Sequence, residues 1–399
     1  MVINLKLNDD NNLNKSEKKG HVLLLLHARF IDWKGTQRML YEFGSHLVRE
    51  GYKVTLLENT EFENVDGQIP LNSLPKIPFK IIGTKFKKKF GYLKPPENII
   101  QDLKPDVIYV ASFNVTPSVP LFGYKTVLGM HSLFVGTYRY RSTIHKLIFR
   151  VKLLFFKAFF VRSYIKRKTV FHALNKSQSD WITALTSERN LVKLIHNPIS
   201  CNQVKTSFFS QGVETDRFTV LFFGSFSKPR GFDTFLKLVE MLTPQEAYKD
   251  ISFLTAGDGP LKDNLLQLMK TCKTLTYLGK PDDEEKSNIY SKSHLFVYPT
   301  VSDNFPYIVA EALLHGLPVL ATNLSGIDEE IENGVNGYLI EPKDYSTYIE
   351  NIIRFFKEWS ESKNTYSALK TKISIDARKF CTDRILPNLT SMIEETINS

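Results

Sequence analysis

The sequence predicts an α/β protein of two doubly wound domains facing a cleft. Short continuous apolar runs alternate with amphipathic helical stretches, and this alternation pauses once, near the middle of the chain. The 399 residues, 42% hydrophobic and 24% charged, are enough for two cores. Continuous apolar strands, as opposed to alternating ones, belong to parallel sheets covered on both faces. No internal repeat is present, which argues against a solenoid.

The first apolar run, residues 21–26, leads into a polar loop that ends at Gly35. Met39, Leu40, Phe43, Leu47 and Val48 then recur at helical spacing, and Gly51 closes that helix. Residues 53–57 form the next strand and complete a βαβ unit. Further strands are expected at 106–113, 126–130, 170–174 and 191–195. From Asn197-Pro198-Ile199 to Asp216 the pattern pauses, which marks the linker. A second series places strands at 219–223, 251–256, 275–278, 295–298, 319–322 and 338–340, with helical segments between them. The expected domains are therefore 1–205 and 206–380, with a terminal helix at 381–399 that crosses back to the first. In such sheets ligands bind beyond the carboxyl ends of the strands.

Charge is placed unevenly. The net formal charge is +10, yet residues 1–200 carry +16 and residues 201–399 carry −6. A basic half suggests a polyanionic partner. Cys201, Cys272 and Cys381 are too few and too far apart for a disulfide framework or a thiolate metal cage, so a reducing, cytoplasmic setting is expected. The first twenty residues are polar and show no secretory signal. The most apolar stretch, 147–161, is interrupted by Arg150, Lys152 and Lys157 and is not a membrane span. No recognition-helix or RNA-binding motif supports nucleic acid as the partner, and the first βα loop lacks the glycine pattern of dinucleotide binding.

Chemistry-bearing loops follow strands of the second series. Gly224-Ser225-Phe226-Ser227-Lys228-Pro229-Arg230-Gly231 combines glycines, two cations and a following helix, which suits a diphosphate. Gly257-Asp258-Gly259-Pro260 is a tight turn. After the weaker Gly279-Lys280-Pro281, the fourth loop, Ser302-Asp303-Asn304-Phe305-Pro306, precedes a helix that Pro306 can start, with Glu311 on its second turn. Asp303 and Glu311 thus flank a helix N-terminus that favours phosphate, and each can accept hydrogen bonds from vicinal hydroxyls, one pair on a sugar and one on a ribose. A solvated helix residue is the bland alternative for Glu311. Its neighbours Ala310, Ala312, Leu313 and Leu314 argue instead for burial, which would be costly without a partner.

The segment from Asp303 to Glu311 resembles the Glu-x7-Glu signature of retaining glycosyltransferases of the GT-B fold, in particular family 4 (group 1), and the resemblance is nearly continuous from Val220 to Pro342. It implies two Rossmann-like domains and a nucleotide-sugar donor, a UDP- or GDP-sugar, with no cofactor and no metal. Carried over, Glu311 holds the ribose and Asp303 the sugar hydroxyls. Gly224 to Gly231 resembles the family's phosphate loop, with Ser225 at the usual Arg position and Arg230 at the usual Lys position. Arg230 can pair bidentately with phosphate, and Lys228 is expected to supply the charge that Ser225 lacks. Gly257, Asn304, Phe305 and Pro306 complete the donor loops. Asn333 to Gly337 resembles another family turn, and Asn197-Pro198-Ile199 the hinge before the second domain.

In the first half, Lys34-Gly35-Thr36-Gln37-Arg38 resembles the family's glycine loop before the first long helix, which places Gly35 near the transferred sugar and diphosphate. His131, at the end of a strand, matches a histidine that faces the donor sugar, and is assigned a positioning role on the sugar or reacting phosphate. Two basic tracts remain: Lys76, Lys80, Lys85, Lys87, Lys88, Lys89 and Lys94, and the Phe-rich segment 139–168. The latter has the composition of a helix lying in an anionic membrane interface. The expected protein is a retaining, metal-independent glycosyltransferase, peripheral on the inner face of the plasma membrane, with a lipid-linked or cell-surface glycan acceptor. A non-catalytic nucleotide-sugar-binding subunit and an epimerase or hydrolase of the same fold are the alternatives.

Overall fold

The computed structural model describes residues 19–30, 35–60, 76–89, 92–111, 123–131, 165, 168–188, 191–201 and 217–399. The chain divides into two compact units. One comprises Met1–Val135, Arg141–Pro198 and Asp383–Ser399, the other Gly136–Tyr140 and Ile199–Thr382.

Among the described residues, the first unit holds a seven-stranded sheet in the order β3-β2-β1-β6-β7-β8-β9. Its strands are β1 (His21–Leu26), β2 (Lys53–Asn59), β3 (Lys80–Thr84), β6 (Val107–Val110), β7 (Lys125–Gly129), β8 (Val170–Ala173) and β9 (Val192–Leu194). Every pairing is parallel. All six residues of β1 are buried, as the continuous apolar run requires of a central strand covered on both faces. Each such leucine contributes about 1.5–3 kcal/mol. Helix α1 (Gly35–Arg49) buries Met39, Leu40, Phe43 and Leu47, the face that its spacing indicates. Helix α2 (Glu97–Leu103) leads into β6, and α3 (Lys176–Thr186) starts where the Asn175 side chain accepts from the Gln178 N–H at 2.9 Å.

The lysine-rich tract holds strands that composition did not indicate. Lys80 opens the edge strand β3, and β4 (Lys87–Lys89) pairs with β5 (Tyr92–Lys94) in an antiparallel hairpin. Lysines on an edge strand discourage pairing with another chain. The strand expected at 106–113 ends at Val110, and 112–122 lies outside the described residues, as do 202–216 of the linker and almost all of the tract 139–168.

Among the described residues, the second unit holds six strands in the order β12-β11-β10-β13-β14-β15. They are β10 (Phe218–Ser225), β11 (Ile251–Asp258), β12 (Leu275–Tyr277), β13 (Leu295–Tyr298), β14 (Val319–Thr322) and β15 (Gly337–Ile340), all parallel. Helices α4 (Phe232–Leu242), α5 (Lys262–Thr271), α6 (Asp283–Ser291), α7 (Tyr307–Leu314), α8 (Tyr345–Glu361) and α9 (Lys363–Ala377) accompany them. Helix α10 (Thr382–Asn398) then rejoins the first unit. There Tyr52 Oη donates to Glu394 at 3.0 Å, Lys193 pairs with Glu395 at 2.6 Å, and Lys125 reaches the Ile397 carbonyl.

The cysteine reading needs correction. Cys201 and Cys381, 180 positions apart in sequence, have Cα atoms 5.6 Å apart and form a disulfide, while Cys272 is a buried thiol. Separation along the chain hid a proximity that the fold creates: Ile199 bridges to Cys381, with its N–H on Phe380 O and its carbonyl accepting from Thr382 N–H, both at 2.9 Å. Cys201→Ser is expected to lower the unfolding free energy of the oxidised protein by about 2–5 kcal/mol and to leave the reduced protein unchanged. Denaturation with and without reductant checks this.

Candidate donor site

The chemistry of the second unit collects where its strand order reverses. β10 has β11 on one side and β13 on the other, so ligand loops gather at the carboxyl ends of β10 and β13. The loop after β10 makes a short 3-10 turn at Lys228–Arg230 and ends on Gly231 with φ of 74°. A Cβ at Gly231 would lie 1.9 Å from the Pro299 carbonyl oxygen, so only glycine lets this loop touch the one after β13. Pro229 O accepts from Val301 N–H and Thr300 Oγ1, each at 3.0 Å, and locks the contact.

That lock brings two predicted residues together. Arg230 Nη1 donates to Ser302 O at 2.8 Å and pairs with the Asp303 carboxylate. Asp303 Oδ2 also accepts from Tyr298 Oη at 2.9 Å, and Oδ1 accepts from Asn304 N–H at 3.0 Å. Tyr298 and Asp303 hold the guanidinium still more firmly protonated, against the cost of its burial. Burial, then the Asp303 charge, pushes the Tyr298 phenol far up. Arg230 and Asp303, assigned from sequence to diphosphate and sugar, are therefore each other's partners.

Glu311 lies on the second turn of α7 and is 6% exposed, so it is no solvated helix residue. Its Oε2 is 2.6 Å from Lys286 Nζ and 3.4 Å from Tyr290 Oη. Both partners come from α6, spaced i, i+4 on one face. His315 Nδ1 donates to the Glu311 carbonyl at 2.8 Å and its ring stacks on Tyr290.

Other predicted residues fall in several places. A Cβ at Gly257 would meet Gly224 O at 1.9 Å, so these glycines let the ends of β10 and β11 lie backbone to backbone. Ser225 is exposed, with Oγ on Ser227 Oγ at 3.3 Å. Lys228 lines a groove between α4 and α5 with Asp233, Lys237 and Gln267, away from the pair that Arg230 makes. Asn304, Phe305 and Pro306 are buried, and the Phe305 ring packs edge-on against Phe380 at 5.3 Å. Pro306 caps α7 in extended conformation, with Tyr307 as its first residue. In the first unit, Gly35 begins α1, and His131 follows β7 with Nε2 2.7 Å from Tyr109 Oη. Lys34 lies outside the described residues.

Sequence reasoning did not single out Tyr298, Lys286, Tyr290 or Glu330. Glu330 is 1% exposed, and neither carboxyl oxygen completes a hydrogen bond among the described residues. Burial, reinforced by the Asp303 charge, raises its carboxyl well above the ordinary range, with the Ala310 amide and Lys379 offsetting part of this and Glu329 adding to it. The folded state thus keeps a proton that the unfolded chain releases near the usual carboxylate value. The sign follows: stability falls as pH rises above that value. Glu330→Gln should raise the thermal midpoint near neutrality and flatten its decline as pH rises above the ordinary carboxylate range, with little difference at the acid end. Melting curves across that range check it.

Residues 203–372 match the family model Glycosyl transferases group 1, and residues 33–203 match Glycosyltransferase Family 4. An uncharacterized glycosyltransferase of Haemophilus influenzae is 23% identical over 332 residues, 80% of this chain and 85% of that protein. The UDP-Gal:alpha-D-GlcNAc-diphosphoundecaprenol alpha-1,3-galactosyltransferase of Escherichia coli is 29% identical over 124 residues, 30% of this chain and 32% of that protein. Anabaena Alr3699/HepE in complex with UDP is similar in fold, with a TM-score of 0.67 at 16% identity over 94% of this chain and 99% of that one. Two consecutive family matches from residue 33 to 372, on two parallel-stranded α/β units, place this chain among the group 1 glycosyltransferases of the GT-B fold.

Proposed function

We propose that this glycosyltransferase is a retaining, metal-independent enzyme that moves a sugar from a nucleoside-diphosphate donor to a hydroxyl of a lipid-linked or cell-surface glycan. The buried Glu311, held by Lys286 and Tyr290 on the helix that Asp303 precedes, carries the reading. A buried carboxylate paired with a lysine can accept from ribose hydroxyls. Arg230 meets the diphosphate, and Asp303 the sugar. Donor binding exchanges partners: the diphosphate takes Arg230 from Asp303, which frees Asp303 for the sugar hydroxyls. The carboxyl ends of β10 and β11, where Gly224 and Gly257 leave room for close approach, and the N-terminus of α7 complete the anion site. Charge on the departing diphosphate is stabilised by Arg230 and that helix end, and the departing phosphate takes the acceptor's proton.

The structural neighbour that binds UDP favours a uridine nucleotide, and the relative named for a diphosphoundecaprenol acceptor favours a lipid-linked one. Membrane contact is supported by Lys76, Lys80, Lys85 and Lys87, all exposed on the first unit. Among the described residues no helix is long and apolar enough to cross a membrane. An inner-face peripheral location fits both.

A thermal-shift panel of UDP-, GDP- and ADP-sugars should identify one stabilising donor, and Glu311→Ala should abolish that shift. Release of nucleoside diphosphate should require acceptor. Binding without release would leave a binding subunit, and release without acceptor a hydrolase or epimerase. Vesicles with anionic lipid should bind the protein at low salt and release it at high salt. Reversing the four lysines to glutamate should do the same, and sedimentation measures both.

A further inference from the structure

Among the described residues, three groups hold the Asp303 carboxylate, and they differ in how firmly each is itself held. Arg230 pairs with Oδ2, Tyr298 Oη donates to the same oxygen at 2.9 Å, and Asn304 N–H donates to Oδ1 at 3.0 Å. The Asn304 amide is the next backbone group in sequence and moves with Asp303. The other two are side chains of opposite mobility. Arg230 has a side chain 35% exposed and reaches the pair across several rotatable bonds. Tyr298 is 3% exposed, and its ring packs on Phe296 at 6.0 Å and on Phe222 at 6.4 Å. It ends β13 in register with Ala321 of β14, so backbone and ring are both fixed.

This difference decides what becomes of Asp303 when an anion draws Arg230 away. A carboxylate left with one backbone amide would be a costly charge to keep in a largely buried loop. The Tyr298 hydroxyl cannot follow Arg230 and stays on Oδ2. Burial, then the Asp303 charge, pushes its phenol far up, so it remains a donor. A hydrogen bond to an ionised acceptor is roughly twice as strong as a neutral one, and it counts for more once the cation sharing that oxygen has gone.

We propose that Tyr298 is a positioning residue for the donor, which holds Asp303 in place while Arg230 passes from that carboxylate to the diphosphate. This rests on the reading of Arg230 as the residue that meets the diphosphate, and adds the group that keeps Asp303 partnered through the exchange. The hydroxyl acts through Asp303, so its contribution to binding exists only while that side chain carries a charge.

Titration calorimetry with UDP, GDP and ADP tests this, because a nucleoside diphosphate supplies an anion for Arg230 and no sugar hydroxyl for Asp303. For whichever of the three binds the unaltered protein, Tyr298→Phe should raise Kd about tenfold. In an Asp303→Asn background the same change should alter Kd less than about twofold, a dependence that a purely structural hydroxyl would not show. Asp303→Asn by itself should tighten binding, since Arg230 then leaves no charge behind. An unchanged Kd in Tyr298→Phe, or an equal loss in both backgrounds, would overturn the proposal. Arg230→Gln separates it from the reading beneath it. Unchanged affinity there removes Arg230 from the diphosphate and the proposal with it, whereas a loss there beside an unaffected Tyr298→Phe overturns the proposal alone. Binding of none of the three nucleotides removes both. If Tyr298→Phe does not fold, Asp303→Asn still tests the exchange, and weaker binding in that variant would overturn it.

Discussion

At β10 the sheet of the second unit reverses the direction in which successive strands are added, and the backbone there is packed to the limit of contact. Gly231 lies under the Pro299 carbonyl, and Gly257 lies under Gly224, at separations that admit no side chain. The loop that carries Arg230 is thereby fixed against the loop that carries Asp303. The pairing of Arg230 with Asp303 follows from that closeness. Arg230 and Asp303 meet because their backbones cannot separate, and Tyr298 joins them as the last residue of β13.

The electrostatic consequence is a site balanced before any ligand arrives. Two carboxylates have cationic partners, Glu311 with Lys286 and Asp303 with Arg230, and burial pushes the carboxyl of the third, Glu330, well above its ordinary range. Separating Glu311 from Lys286 without replacement would strand a buried carboxylate, which costs about 3–5 kcal/mol. On the proposed reading, a diphosphate sugar supplies an anion for Arg230 and hydroxyls for Asp303 in one event. A bare phosphate supplies only the first. The same balance thus favours a ligand with both parts.

How much of this could be read from the sequence depends on how far apart the partners are. The buried strands were legible because each apolar run is local: residues 21–26 and 295–298 coincide with β1 and β13. Asp303 and Glu311 were legible because eight positions separate them across one helix start. Lys286 was not, because its pairing with Glu311 arises where α6 packs on α7, and nothing in a lysine at that position marks it as buried. Tyr298 reads as an ordinary strand aromatic and Glu330 as one acid among several. The strands in the lysine tract were hidden because edge strands carry charge in place of an apolar run. Lys228 and Arg230 lie two positions apart, and the 3-10 turn that carries both sets Lys228 at the groove between α4 and α5 and Arg230 against Asp303. Phe305, counted among the donor residues, spends its ring on the core.

The pairing of Cys201 with Cys381 has a mechanical meaning as well. The long segment of the second unit, Ile199–Thr382, begins and ends beside this bond. A pull on the two ends of that segment therefore passes from one to the other through sulfur. The residues between them lie in a covalent bypass and bear no tension. Nor would a single cut between the two cysteines divide the molecule, because both fragments would stay joined. Reduction places the whole second unit back in the line of force.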